Sequence, residues 1–232
     1  MNQVPELAVF DWDGTLVDSV GKIVESVRDA ARQLGMPAPD EAEIRQVIGL
    51  SLGPALDRLF PLLKSDKDKK KLAEAYKRAF VERDTAPCPL HTYASEYLWA
   101  LHRNGVKLAV ATGKSRRGLD RALAAYPTLP DFSVTACADE HVGKPNPQML
   151  LYVLRKTGCR PEKSLMIGDT THDIQMAKAA NVGAVAVTHG AHPREQLLSA
   201  EPHLLVESFK SLSIWTFKRS LSDIEDQSRL SS

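Results

Sequence analysis

Five short apolar runs punctuate the chain: LAVFDW from residue 7, VKLAVAT from 106, SVTACA from 133, SLMIGD from 164 and GAVAVT from 183. Each is rich in Val, Ala and Leu, without the strict alternation of a half-exposed strand. That pattern predicts short strands buried on both faces. Between most of them, SRRGLDRALAAY, PQMLLYVLRKTG and THDIQMAKAANVG return apolar residues at helical spacing. Strand alternating with helix predicts an α/β fold with a parallel sheet covered on both faces. Right-handed crossovers then gather the polar strand ends along one edge, where open α/β sheets bind ligands.

The stretch from Asp18 to Ala86 breaks this rhythm. GKIVESVRDAARQLGM, DEAEIRQVIG, GPALDRLFPLL and DKKKLAEAYKRAFVERD are all of helical period, and no strand pattern lies among them. They predict a helical insert over 18–86, following the first strand. The α/β part is then expected over 1–17 and 87–220. Past Trp215 apolar content falls away, and 221–232 is expected to be a disordered tail. The basic run KSDKDKKK reads as the solvated start of the insert's last helix.

Composition narrows the function classes. The 232 residues carry 30 Lys and Arg against 29 Asp and Glu, a formal charge of +1. No global basic field is available for nucleic acid or an anionic membrane. The N-terminus lacks a signal-peptide pattern and no apolar run approaches a membrane span, so a cytoplasmic protein is expected. The 3 cysteines, Cys88, Cys137 and Cys159, form no CxxC pair; reduced structural thiols are expected. His172, His189 and His192 lack metal-ligand spacing.

The chemistry sits at strand ends. Asp11 and Asp13 follow LAVF, with Gly14 and Thr15 next. Thr112, Gly113 and Lys114 follow VKLAVA, Lys144 lies in HVGKPNP, and Asp169 and Asp173 lie in SLMIGDTTHD. On one edge of a parallel sheet these residues would collect several carboxylates, a hydroxyl and an ammonium group. Bare acids repel a dianionic phosphate monoester, so such a platform calls for Mg²⁺ on hard oxygen ligands. With the cation present, one carboxylate is able to attack phosphorus, and a second, pointing elsewhere, to protonate the leaving oxygen and activate water. Thr112 and the amides of the Gly14 loop would donate to phosphoryl oxygens, and Lys144 would offset developing charge.

DWDGTLVDS, VATGKS, GKPNP and IGDTTHD resemble, in order and spacing, the four motifs of the haloacid dehalogenase superfamily of aspartate-nucleophile phosphohydrolases. The likeness runs from about residue 7 to 205. The insert resembles the small helical cap of the phosphoglycolate phosphatase-like branch. The resemblance implies a Rossmann-like core, a cap that closes over the site, and Mg²⁺ as cofactor. It implies Asp11 as nucleophile and metal ligand, and Asp13 as general acid and base that also binds metal through its carbonyl. Thr112 would hold the phosphoryl group, Lys144 would stabilise nucleophile and phosphate, Asp169 would complete the metal site and Asp173 would support it. Dehalogenases usually lack an acid at the position of Asp13, so its presence favours phosphate esters.

The expected activity is hydrolysis of small phosphorylated metabolites, with phosphoglycolate the substrate the resemblance suggests first. A phosphosugar mutase is the alternative within the fold, and a binding or regulatory protein the alternative outside catalysis. The latter should have lost Asp11, Asp13 or Lys144, and all three are present. Specificity is expected from the insert, with Ser51 in VIGLSLGPAL and Arg45 near the substrate, and with Lys114, Arg116 or Arg117 reaching a second anionic group. Trp12 is expected to pack against the sheet. Monomer and homodimer are equally open.

Overall fold

The computed structural model describes residues 4–217, so the expected tail over 221–232 lies outside the described residues. Strand β1 (Leu7–Phe10) is wholly buried, and its side chains divide between two cores. Leu7 and Val9 pack with Ala109, Ala111 and Met166 on one face; Ala8 and Phe10 pack with Leu108, Val110 and Ile167 on the other. This two-sided burial is why the strand sequence is a continuous apolar run rather than an alternating one.

All five expected strands form, as β1, β2 (Lys107–Thr112), β3 (Val134–Cys137), β4 (Ser164–Gly168) and β5 (Gly183–Val187). A sixth, β6 (Leu204–Val206), adds at the edge, giving a parallel sheet of order β3-β2-β1-β4-β5-β6. The chain leaves β1 for β2 on one side and later returns to β4 on the other. The carboxyl ends of β1, β2 and β4 therefore flank the crevice where such sheets take ligands.

Helices cover both faces. On the Phe10 face lie α5 (Ala94–Arg103), α6 (Arg116–Ala124) and α10 (Phe209–Phe217), through Leu98, Leu119 and Phe209. On the Val9 face lie α7 (Gln148–Thr157), α8 (Thr171–Ala179) and α9 (Arg194–Ser199), through Val153, Ile174 and Leu197. Between β1 and β2 the chain forms α1 (Val20–Gln33), α2 (Glu41–Arg45), α3 (Leu52–Leu59) and α4 (Asp66–Glu82), around a cluster of Val24, Val27, Ile44, Leu56 and Leu72. The two crossings between insert and sheet run side by side, with Asp18 N–H donating to the Pro89 carbonyl at 2.9 Å and His91 N–H to that of Leu16 at 2.9 Å. Among the described residues no helix is long and apolar enough to cross a membrane.

Candidate active site

Asp11 stands one residue past β1 and is 1% exposed. Its Oδ1 accepts from its neighbour's amide, Trp12 N–H, at 2.7 Å and pairs with Lys144 Nζ at 2.8 Å. Its Oδ2 is buried without a hydrogen-bond partner among the described residues. Trp12 is buried against Tyr126 and Phe132, as expected of a packing residue. Asp13 points elsewhere: Oδ1 accepts from Ser19 Oγ at 2.7 Å, and Oδ2 pairs with Lys114 Nζ at 2.8 Å. The two acids, separated by Trp12, thus diverge, and each has its own ammonium group, which offsets their mutual repulsion.

Lys144 has a fully buried side chain, held between Asp11 and Asp173 Oδ1, the latter at 2.6 Å. Burial works against its charge, but the two carboxylates outweigh it and hold its pKa above the ordinary lysine value. Asp173 is oriented by the start of α8. Its Oδ2 accepts from Thr170 N–H at 3.1 Å and Thr170 Oγ1 at 2.7 Å in a reciprocal cap, which leaves Oδ1 for the lysine. The expected helix-capping role and a role at the site coexist in this one side chain.

Asp169, at the end of β4, is clamped from two sides. Thr15 Oγ1 donates to Oδ1 at 2.6 Å, and Ala191 N–H to Oδ2 at 2.7 Å. A Cβ on Gly14, whose φ is +81°, or on Gly190 would overlap this carboxylate, so both positions need glycine. Burial, reinforced by Asp173, raises the Asp169 pKa to about 7. Burial, opposed by Lys144 and reinforced by Asp173 and Asp169, holds Asp11 well above the usual carboxylate range.

Ligand oxygens of Asp11, Asp169 and Asp173 lie within 4.8 Å of one another. Three buried carboxylates facing one ammonium leave an excess of negative charge, and the unpartnered Asp11 Oδ2 is one of the hard oxygens among them. This donor set fits Mg²⁺.

Thr112, fully buried at the end of β2, accepts from Lys114 N–H at 3.2 Å. Next to it the insert comes down onto the sheet. A Cβ on Gly113 would overlap the carbonyls of Gly49 and Leu50, and one on Gly143 would overlap Ser51 Oγ. His172 Nε2 meets the Gln46 carbonyl at 3.1 Å, and the side chains of Gln46 and Gln196 bond to each other at 2.8 Å. A cavity of about 1050 Å³ lies between insert and sheet, walled by Asp11, Asp13, Ser51, Thr112, Gly113 and Lys114 together with the insert's helices.

Some expected site residues lie elsewhere. Arg45 is not on the cavity wall; it pairs with Glu41 one helical turn back at 2.9 Å and reaches the Gly190 carbonyl at 3.4 Å. Arg116 is committed to Glu140, Asp120 and Thr135, so it is withdrawn from any second anionic group. Lys114 faces the cavity but is spent on Asp13. Conversely, Thr15, Ser19 and Ala191 orient the acids, a role the sequence pattern assigns to none of them. The first two lie inside the motif around Asp11, and Ala191 follows β5 in a polar, glycine-bearing loop, the same signal that marked the other strand ends.

The sequence matches the haloacid dehalogenase-like hydrolases over residues 8–187. It is 36% identical over 209 residues to "Probable phosphatase IndB" of Dickeya dadantii, covering 89% of this chain and 91% of that one. It is 29% identical to a phosphoglycolate phosphatase of Salmonella typhimurium, covering 88% and 89% of the two chains. Among solved structures, a hydrolase from Pseudomonas syringae superposes with a TM-score of 0.80 at 26% identity, over 90% of this chain and 95% of that chain. The buried carboxylates around Lys144 thus stand in a chain that belongs to the haloacid dehalogenase-like hydrolase family.

Proposed function

We propose that the protein is a Mg²⁺-dependent phosphatase that hydrolyses small phosphate monoesters through a phosphorylated Asp11. The observation that carries this reading is the division of labour between the two Asp11 oxygens. Oδ1 is engaged by Trp12 N–H and Lys144, while Oδ2 is buried, unpartnered and on a residue of the cavity wall. A carboxylate with one oxygen fixed and the other free is oriented for attack. The names of the Dickeya and Salmonella relatives support the same chemistry.

Asp11 and Asp169, supported by Asp173, would hold Mg²⁺, which supplies the positive charge that lets an acidic site accept a phosphate dianion. Lys144 favours the ionised form of Asp11 against the effect of burial and offsets charge on the phosphoryl group. Thr112 Oγ1 and the amide of Gly113 donate to phosphoryl oxygens. Asp13, released from Ser19 and Lys114, protonates the leaving oxygen and then takes a proton from the water that cleaves the acyl phosphate. The contact of the 49–51 loop with Gly113 and Gly143 excludes bulk water from this step. On this reading residues 18–86 act as a cap over the α/β core.

The test is phosphate release from p-nitrophenyl phosphate and small natural esters, with Mg²⁺ and with excess chelator, alongside mass spectrometry of acid-quenched protein. Chelator-sensitive turnover and a phosphate adduct on Asp11 are expected, both lost in Asp11→Asn. Turnover retained by Asp11→Asn would remove the nucleophile assignment.

A further inference from the structure

The cavity above Asp11 has a polar floor and apolar walls. Beyond the acids and Thr112, helices α1, α3 and α4 line it with Ile23, Val27, Leu56, Leu59, Tyr76 and Phe80. Val27 and Leu56 are buried in the insert's own cluster, but Ile23, Leu59, Tyr76 and Phe80 are only half-buried. The Tyr76 and Phe80 rings lie side by side, centroids 6.0 Å apart and planes at 42°; Phe80 is covered by the Lys22 and Lys114 ammonium groups, 4.2 and 4.7 Å from its centroid, which leaves Ile23, Leu59 and Tyr76 as the open wall. Apolar surface left uncovered inside a concave site next to a reactive carboxylate is what a ligand's apolar body covers. The volume, about 1050 Å³, is at the top of the roughly 300–1,000 Å³ usual for ligand pockets, far more than a two-carbon phosphorylated acid fills.

Charge points the same way. Phosphoglycolate brings a carboxylate beside its phosphate, and that carboxylate needs a cation. Near the acids the ammonium groups are committed, Lys114 to Asp13 and Lys144 to Asp11 and Asp173. The other wall cations, Lys77, Arg78, Arg117 and Arg121, are exposed, where an ion pair contributes little.

We infer that the preferred substrate is an amphiphilic phosphate monoester, whose alcohol carries an uncharged aliphatic or aromatic body lying against Ile23, Leu59 and Tyr76. The inference rests on the phosphatase reading for its chemistry, but the apolar subsite is measurable without turnover. Alkylphosphonates carry the same dianionic head and cannot be hydrolysed, so calorimetric titration of Mg²⁺-loaded protein with ethyl-, butyl- and hexylphosphonate isolates the contribution of the chain.

Burial of each methylene is expected to tighten binding about 4-fold, so hexylphosphonate, longer by four methylenes, should bind roughly 250-fold more tightly than ethylphosphonate. Leu59→Gln, which makes the wall polar, and Ala55→Trp, which fills the cavity, should each reduce that ratio by at least about 10-fold, with folding of both checked by thermal melting. Equal binding of the three phosphonates, phosphoglycolate binding more tightly than hexylphosphonate, or a chain-length gain unchanged in both variants would each overturn the inference. Phosphate release from ethyl and hexyl phosphate is read in parallel. A chain-length gain in binding with no release from any ester supports the subsite and removes the phosphatase reading. Release without a chain-length gain does the reverse.

Discussion

Lys144→Met tests the electrostatics of the site most directly. The ammonium is fully buried and lies 2.8 Å from Asp11 and 2.6 Å from Asp173, with the Asp169 carboxylate close by. Its removal leaves three carboxylates in one buried cluster with no counter-charge. Breaking a single buried ion pair by deleting one partner costs about 3–5 kcal/mol, most of it the penalty of the stranded charge. One ammonium here serves two carboxylates, which places the expected loss at the upper end. In a protein of this size that corresponds to a fall in Tm of roughly 10–20 °C. Mg²⁺ on the same carboxylates replaces the missing charge, so the variant should regain more stability from saturating Mg²⁺ than the wild-type protein does. On the proposed mechanism turnover should remain at least about 100-fold down even when Mg²⁺ is saturating, because there the lysine also offsets charge that develops on the phosphoryl group. The assay is thermal and urea unfolding in chelator and in Mg²⁺, followed by phosphate release at the same Mg²⁺ concentrations. A variant that melts within about 2 °C of wild type in chelator, or that gains no more from Mg²⁺, would refute the reasoning that this lysine neutralises a buried acidic cluster.

Three further outcomes are expected. Asp13→Asn should slow alkyl phosphates about 10²-fold or more while sparing p-nitrophenyl phosphate, whose leaving group needs no proton; equal losses on both would argue against an acid role. Gly190→Ala pushes a methyl group into Asp169 and should weaken Mg²⁺ binding by about 10-fold or more by calorimetry, an unchanged affinity showing that Asp169 is not a ligand. Burial, with His189 stacked at 4.0 Å, holds His91 at about 4 against an ordinary 6.5. Between those values the unfolded chain takes up a proton that the folded chain refuses, so stability should fall as pH drops from about 6.5 to 4. Urea unfolding across that range checks this, and a slope unaltered in His91→Phe would remove His91 as a source.

The parts of this protein legible in its sequence are those where local pattern and tertiary environment agree. Strands β1 to β5 announce themselves because burial on both faces demands an apolar run. β6 does not, because three residues at a sheet edge, Leu204–Val206, are too few to make a pattern. α10 escapes for the opposite reason: FKSLSIWTF is apolar around much of its circumference, so no single face stands out. At the site, the acids, Thr112 and Lys144 are legible as strand-end polar groups, but their partners are chosen across long stretches of chain. Thr15 meets Asp169 across 154 positions, and Arg45 meets Gly190 across 145. Spacing cannot show that Lys114 faces Asp13 rather than substrate, since both residues are polar, both sit at strand ends and only the sheet order brings them together. The apolar wall is less legible still. Ile23, Leu59 and Tyr76 have the same helical spacing as the core residues beside them, and only the docking of the insert on Gly113 and Gly143 turns their edge toward Asp11. What the acids do is therefore written at the strand ends, whereas which alcohol they act on is set by how one helical face meets another part of the chain.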